Sequence, residues 1–277
     1  MTTISQKNLL KLALEAKEKE QTEQAISLLE EAIMLGPDTT IALNLSQLYQ
    51  EVGLFYNAYE LLKNQDNYLT EPIFTEYLHV LKALNLRIEF LQLKELLQGA
   101  ARNQLEKIEV KATDDPLSVM KLKKIQVDNY WKILTLDLPQ FELFVQEKLA
   151  STETDLALHI SLIEECVKLQ LTTPLNTLVL DKLVQFVPKE VGLFQTNNFV
   201  TEVNNFGFEL VEKAKSPSLS PLFFAMTRII LGSLYPIIDQ YLDDPKSFAQ
   251  EIFDYITGQT NVEHSELITK ILQKNQQ

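Results

Sequence analysis

Cysteine is almost absent from this 277-residue sequence, in which Cys166 is the only one. A single cysteine cannot form a disulfide within the chain, which excludes a disulfide-stabilised scaffold and is typical of a reducing compartment. Residues 1–7 also lack the apolar core of a secretory signal peptide. We therefore expect a cytoplasmic protein.

Glycine and basic residues are scarce as well. The seven glycines form no phosphate-binding loop, and the sequence has no His-Glu-x-x-His or nucleophile-elbow motif. The 25 Lys and Arg residues stand against 38 Asp and Glu, so the net charge is −13. Binding to phosphates needs a basic surface, and we therefore expect neither a nucleic acid nor a membrane as partner.

What the sequence does contain is helical periodicity. Apolar residues recur at spacings of three and four over most of its length, which predicts an all-α protein. The pattern is clearest over residues 9–62, where two helical hairpins follow each other. Gly36 and Pro37 end the first hairpin, and Ala25 and Ala58 occupy equivalent positions 33 residues apart.

This stretch resembles the tetratricopeptide repeat (TPR) family. The residues that occupy the family's signature positions are Leu12, Ala13, Ala25, Leu29, Ala32 and Pro37 in repeat one, and Leu45, Ser46, Tyr49, Gly53, Phe55 and Ala58 in repeat two. A third, degenerate repeat over residues 73–97 has Leu91 where a small residue is expected. The resemblance implies stacked hairpins with a concave groove that binds a segment of a partner protein.

Carried over by position, the resemblance assigns nine residues to partner binding. They are Lys7, Leu10, Leu14, Lys17, Leu43, Asn44, Gln47, Gln50 and Glu51. The amides of Asn44 and Gln47 both donate and accept hydrogen bonds, which suits a partner's backbone. Leu10 and Leu14 favour an amphipathic helix or apolar peptide over the C-terminal carboxylate that some TPR proteins clamp with basic residues.

The predicted organisation is TPR-like repeats over residues 1–112 and an all-helical region over residues 113–277. This second region either continues as an α-solenoid or forms a separate helical bundle. Asp115 and Pro116 are typical of a helix start, and the Ser/Pro-rich residues 216–221 indicate a further sub-boundary.

Within the second region, residues 117–136 are predicted to form one helix that carries Trp131 and a small basic cluster, Lys121, Lys123 and Lys124. Residues 175–187 are predicted to form the second helix of a hairpin. The apolar residues 222–242 are long enough for a membrane span, but Arg228 lies in the middle and Pro236 interrupts them. We interpret this stretch as a buried helix, and a homodimer formed through it is compatible with each functional alternative below.

Candidate catalytic or metal-binding groups are sparse. Glu76 and His79 have the Glu-x-x-His spacing of di-iron bundles, which require two such motifs, and Asp155 and His159 form a second carboxylate–histidine pair. Cys166 is predicted to be a buried structural residue. We therefore expect a non-catalytic scaffold or adaptor without a cofactor or metal. The alternatives are a peptide-sensing regulator whose C-terminal helices act as effector or dimerisation region, and an enzyme with its site in those helices.

Overall fold

The protein is all-α with one small two-stranded sheet. The computed structural model describes residues 3–122, 125–259 and 265–274. The chain divides into two compact units, Met1–Phe141 and Glu142–Gln277, called here the N-terminal and C-terminal units. The border predicted near residue 113 lies inside the N-terminal unit.

Eight helices precede the border between the units, and a ninth contains it. They are α1 (Ile4–Glu18), α2 (Thr22–Met34), α3 (Thr39–Glu51), α4 (Phe55–Lys63), α5 (Ile73–Ala83), α6 (Arg87–Leu96), α7 (Gly99–Leu105), α8 (Pro116–Met120) and α9 (Leu138–Leu149). A 3-10 helix, Tyr130–Thr135, packs against α6 and α8.

Helices α1 to α6 form three consecutive hairpins. Each helix packs against the next one along the chain, and α3 also contacts α5. Ala25 and Ala58 are completely buried, so the helices approach closely at these two small residues. The helices predicted over residues 9–62 and 73–97 are therefore confirmed.

A buried glutamine joins the first hairpin to the turn that follows it. Thr3 and Gln6 form a capping box at the start of α1, in which the Thr3 hydroxyl accepts from the Gln6 backbone N–H. The Gln6 side-chain amide donates to the backbone carbonyls of Ala32 at 3.2 Å and Gly36 at 2.9 Å. Because Gln6 is only 2% exposed, these bonds satisfy an amide that would otherwise be costly to bury.

The prediction of a single helix over residues 117–136 is wrong. Asp115 does cap a helix that begins at Pro116, as predicted, but α8 ends at Met120. Further along, the Asn129 side chain accepts from the Gln126 backbone N–H at 2.8 Å, a local bond that competes with helix formation. Trp131 lies in the 3-10 helix that follows. Of the predicted basic cluster, Lys121 is exposed, and Lys123 and Lys124 lie outside the described residues.

The described residues of the C-terminal unit form five further α-helices and one β-hairpin. They are α10 (Leu156–Lys168), β1 (Leu175–Val179), β2 (Lys182–Phe186), α11 (Asn198–Lys213), α12 (Ser220–Leu234), α13 (Pro245–Thr257) and α14 (Ser265–Lys274). Helix α12 packs against α10, α11, α13 and α14, which makes it the centre of this unit.

The prediction of a helix over residues 175–187 is also wrong, because this segment forms the antiparallel pair β1–β2. Leu175 pairs with Phe186, and Val179 with Lys182. The two turn residues, Leu180 and Asp181, have φ angles of 48° and 66°, as a tight hairpin turn requires. Burial alternates along β1, so the strand covers the core with one face only.

The apolar residues 222–242 do not form one continuous helix, because α12 ends at Leu234 and Pro236 follows a cis peptide bond. Among the described residues, Pro217–Leu234 is the one segment long and apolar enough to cross a membrane, and 39% of it is buried. The core helix of a water-soluble protein meets the same criterion. Leu222 and Phe224 are 46% and 38% exposed, and the homodimer through this stretch stays a prediction.

Candidate functional site

The candidate partner-binding surface is formed by α1, α3 and α5. We call it the odd-helix face and define it by the nine predicted residues of α1 and α3 together with Glu76 of α5. On α3 the core-facing residues include Ile41, Leu45 and Leu48, so the helix turns its other side outward. Residues of that outer side recur at spacings of three and four, as they do on one face of a helix.

Polar contacts connect the three helices across this face. The Lys17 ammonium group lies 2.8 Å from a Glu51 carboxylate oxygen, which joins α1 to α3. The Gln50 side-chain amide donates to Glu76, which joins α3 to α5, and the Ser46 hydroxyl lies 3.4 Å from the same carboxylate. An exposed ion pair such as Lys17–Glu51 stabilises a fold by about 1 kcal/mol at most. What these contacts establish is that the outer sides of the three helices adjoin.

Each of the nine predicted residues is accessible to a partner to some degree. Lys7, Leu14, Gln47 and Glu51 are exposed, whereas Leu10, Lys17, Leu43, Asn44 and Gln50 are half-buried. Leu14 is an exposed large apolar residue, with 42% of its surface accessible.

The amides of this face are not equally available. The Asn44 amide donates to the Thr40 backbone carbonyl at 2.8 Å, and the Gln50 amide donates to Glu76. Gln50 therefore offers a partner mainly its carbonyl oxygen, whereas Asn44 offers its carbonyl oxygen and one remaining N–H. Gln47 is exposed and retains both its donors and its acceptor, so it is the residue best placed to bond a partner's backbone.

A buried cluster of polar and aromatic side chains lies behind the odd-helix face. The hydroxyls of Tyr59 on α4 and Tyr77 on α5 both donate to Glu89 on α6, a carboxyl group that is only 5% exposed. Lys63 forms an ion pair with Glu89 at 2.8 Å. Burial raises the pKa of Tyr77 well above its ordinary value of 10.0, and the negative charge of the adjacent Glu89 raises it further. These bonds tie three consecutive helices together and fix the position of α5.

Aromatic rings extend from this cluster towards the 3-10 helix. Tyr59 stacks with Tyr77 at a centroid distance of 6.0 Å and with Tyr56 at 5.9 Å, and Tyr56 stacks with Trp131 at 5.8 Å. Sequence analysis did not find this cluster, because the donors and the carboxyl group come from three different helices. The position of Glu89 between the apolar residues Ile88 and Phe90 is the sequence signal that could have pointed to it.

The other candidate groups have structural partners. Glu76 accepts from Gln50 and Ser46, while His79 is exposed. Asp155 caps α10 by accepting from the Leu158 backbone N–H at 2.8 Å. His159 is buried, and its Nε2 atom hydrogen-bonds with the Thr177 hydroxyl at 2.9 Å. Neither predicted carboxylate–histidine pair is therefore brought together as a metal site. Over residues 3–122, 125–259 and 265–274, no group of three or more His, Cys, Asp and Glu side chains could hold a metal ion.

Cys166 is completely buried in α10. Burial raises the pKa of its thiol above the ordinary value of 9.0, and the nearby Glu165 and Glu142 act in the same direction. A buried thiol that keeps its proton is a poor nucleophile. The prediction of a structural cysteine agrees with this position.

A comparison of the chain with protein-family models, with curated proteins and with solved structures finds no match.

Proposed function

We propose that this chain is a non-catalytic, TPR-like scaffold or adaptor that binds a segment of a partner protein on the odd-helix face. The observation that carries the proposal is the continuity of that face. Side-chain contacts join α1 to α3 and α3 to α5, and exposed apolar and amide groups lie between these contacts. Three hairpins in series and the buried Ala25 and Ala58 also support it.

The chemistry of the face favours an amphipathic segment as the partner. Leu10, Leu14 and Leu43 offer apolar contacts, and Gln47 offers hydrogen bonds to a backbone. The charged residues Lys17 and Glu51 neutralise each other, so they do not select for a highly charged ligand. We propose that binding takes place in the cytoplasm, without a cofactor, nucleic acid or membrane.

A double substitution on the odd-helix face is expected to abolish partner capture. Leu14→Lys places a charge in the apolar part of the face, and Gln47→Ala removes the amide with unused donors. Loss of two central contacts is expected to weaken binding by at least about tenfold each. Affinity purification from native lysate with quantitative mass spectrometry measures the retained partner for the wild type and the double variant.

The matched control is Met34→Lys with Gln24→Ala. Both residues are exposed on α2, outside the odd-helix face, and the pair again replaces one apolar residue by Lys and one Gln by Ala. A partner retained by wild type and control but lost by the face variant supports the proposal. Equal retention by all three proteins would contradict it and assign the interaction to another surface. Capture of no partner by the wild type would count against an adaptor function altogether.

A further inference from the structure

A small cleft lies in the C-terminal unit, where no function has been assigned so far. The loop before α10, the start of α10, the β1–β2 hairpin, α12 and α14 surround it, and its volume is about 80 Å³. Ser151 and Thr154 contribute hydroxyl groups, His159 contributes its imidazole, and Leu156 and Ile271 are among its apolar residues. The hydroxyl of Ser233, which also lines the cleft, donates to the Ile229 backbone carbonyl at 2.8 Å. The cleft thus combines polar groups with a hydrocarbon wall.

Two of the hydroxyls have complementary roles. The Ser151 hydroxyl accepts from the Glu153 backbone N–H at 3.1 Å, which leaves its hydrogen for an acceptor. The Thr154 hydroxyl donates to the Lys148 backbone carbonyl at 2.7 Å, which leaves its lone pairs for a donor. A ligand that satisfies both must donate and accept hydrogen bonds, as an alcohol does.

The imidazole of His159 is held in place. Its Nε2 atom hydrogen-bonds with the buried Thr177 on β1, so the ring is fixed between α10 and the hairpin. Among the described residues, no Asp, Glu, Lys or Arg side chain lines the cleft. These residues offer hydrogen bonds rather than a counter-charge, which suits a neutral ligand.

The volume indicates the size of ligand that the cleft can enclose. Cofactor and drug-sized ligands occupy pockets of roughly 300–1,000 Å³, well above the volume available here. The cleft has space for several water molecules, or for one organic molecule of comparable volume. Leu156, Leu178 and Ile271 provide contacts for its carbon atoms.

We propose that this cleft binds a small neutral polyol of about the size of glycerol. Hydroxyl groups of the polyol bond with Ser151 and Thr154, and its carbon atoms face the apolar wall. The inference does not depend on partner binding at the odd-helix face, because it concerns a different unit of the chain.

Methyl NMR of the full-length chain, labelled at Ile and Leu, tests this site by titration with glycerol. The methyl signals of Leu156, Leu178 and Ile271 are expected to shift and to saturate. The expected dissociation constant is on the order of millimolar, as is usual for a ligand of about six heavy atoms. Linear shifts spread over many methyl groups would indicate solvent effects or a cleft occupied by water only, and would overturn the proposal.

Two variants at position 154 separate hydrogen bonding from packing. Thr154→Val keeps the side-chain shape but removes the hydroxyl, and we expect it to weaken glycerol binding about five- to tenfold. Thr154→Ser keeps the hydroxyl and is expected to stay within about twofold of the wild type. Ser151→Ala provides a second loss-of-hydroxyl variant if Thr154→Val does not fold.

Acetate, titrated in the same way, tests the class of ligand. We expect it to produce no saturable shift of the cleft methyl groups. Unchanged glycerol binding by both loss-of-hydroxyl variants, or saturable acetate binding tighter than glycerol binding, would contradict the proposal.

Discussion

Between pH 8 and pH 11, the C-terminal unit is expected to lose about 4 kcal/mol of its free energy of unfolding. The loss comes from Cys166 and Tyr235, whose side chains are completely buried. Burial raises the pKa of the Cys166 thiol above its ordinary value of 9.0 and that of the Tyr235 hydroxyl above 10.0. The negative charge of Glu165 raises the pKa of Cys166 further, and that of Glu164 raises the pKa of Tyr235 further.

Whether a rise in pH stabilises or destabilises the unit depends on whether the folded or the unfolded state keeps the protons of Cys166 and Tyr235. Below about pH 8, both groups are protonated in the folded and in the unfolded state, so their contribution to stability is then complete. As the pH rises, the unfolded chain releases these protons while the folded unit retains them, which favours unfolding. Each pH unit above the ordinary pKa costs about 1.4 kcal/mol per group, or about 2.7 for Cys166 and 1.4 for Tyr235 at pH 11.

Urea unfolding at a series of pH values, followed by circular dichroism, measures this loss. Trp131, the only tryptophan, reports the N-terminal unit separately by its fluorescence. In Cys166→Ala the pH-dependent loss of the C-terminal unit is expected to fall to about 1.4 kcal/mol. General charge repulsion acts on both proteins alike, so their difference isolates the thiol. A free energy of unfolding that stays constant up to pH 11 would show that these groups are not buried as described.

Gly207→Ala is expected to lower the free energy of unfolding of the C-terminal unit by about 1–3 kcal/mol. In an exposed helix the same change stabilises by about 1 kcal/mol, so the prediction has the opposite sign to the intrinsic helix propensity. The cause is the contact between α11 and α12. A Cβ atom at position 207 would lie 1.9 Å from Cε1 and 2.1 Å from Cζ of Phe223. Phe223 is completely buried, so its ring has no free space to move into.

Gly232→Ala, on α12 of the same unit, is the matched control. Its Cβ atom would lie 2.7 Å from Cδ1 of Ile160, which is the flexible end of a side chain. Its effect is expected to stay within about 1 kcal/mol of zero, because a rotation of Ile160 relieves most of the contact. Hydrogen exchange of the α11 amides compares the two variants. Equal protection in both would contradict the close packing of Gly207 on Phe223.

Local signals in the sequence predicted helices α1 to α6 and the start of α8 well. Gly36 and Pro37 separate α2 from α3, and Asp115 with Pro116 marks the start of α8. The β1–β2 hairpin was missed because its turn residues are Leu180 and Asp181 rather than the usual Asn-Gly or Asp-Gly. A short apolar segment also fits a helix and a strand equally well, so tertiary packing decided between them.

The candidate site was predictable only in part. The resemblance to the TPR family indicated which residues of α3 turn outward, but it did not reveal the pairs Lys17–Glu51 and Gln50–Glu76, which join distant parts of the chain. It also did not show that Gln50 is already engaged, which makes Gln47 the more important residue. The hydroxyl groups around His159 are separated in sequence and meet only in the folded unit.

Photo-crosslinking from the odd-helix face tests the central claim most directly. A photoreactive phenylalanine derivative replaces Lys7, an exposed residue of the odd-helix face, in one protein and Glu31, exposed on α2, in another, so that Gln47 is kept in both. Each is irradiated with the partner captured by the wild type. We predict a crosslink from position 7 to one short segment of that partner and none from position 31. A crosslink from position 31 alone, or from neither position, would show that the partner binds elsewhere and would contradict the proposed function.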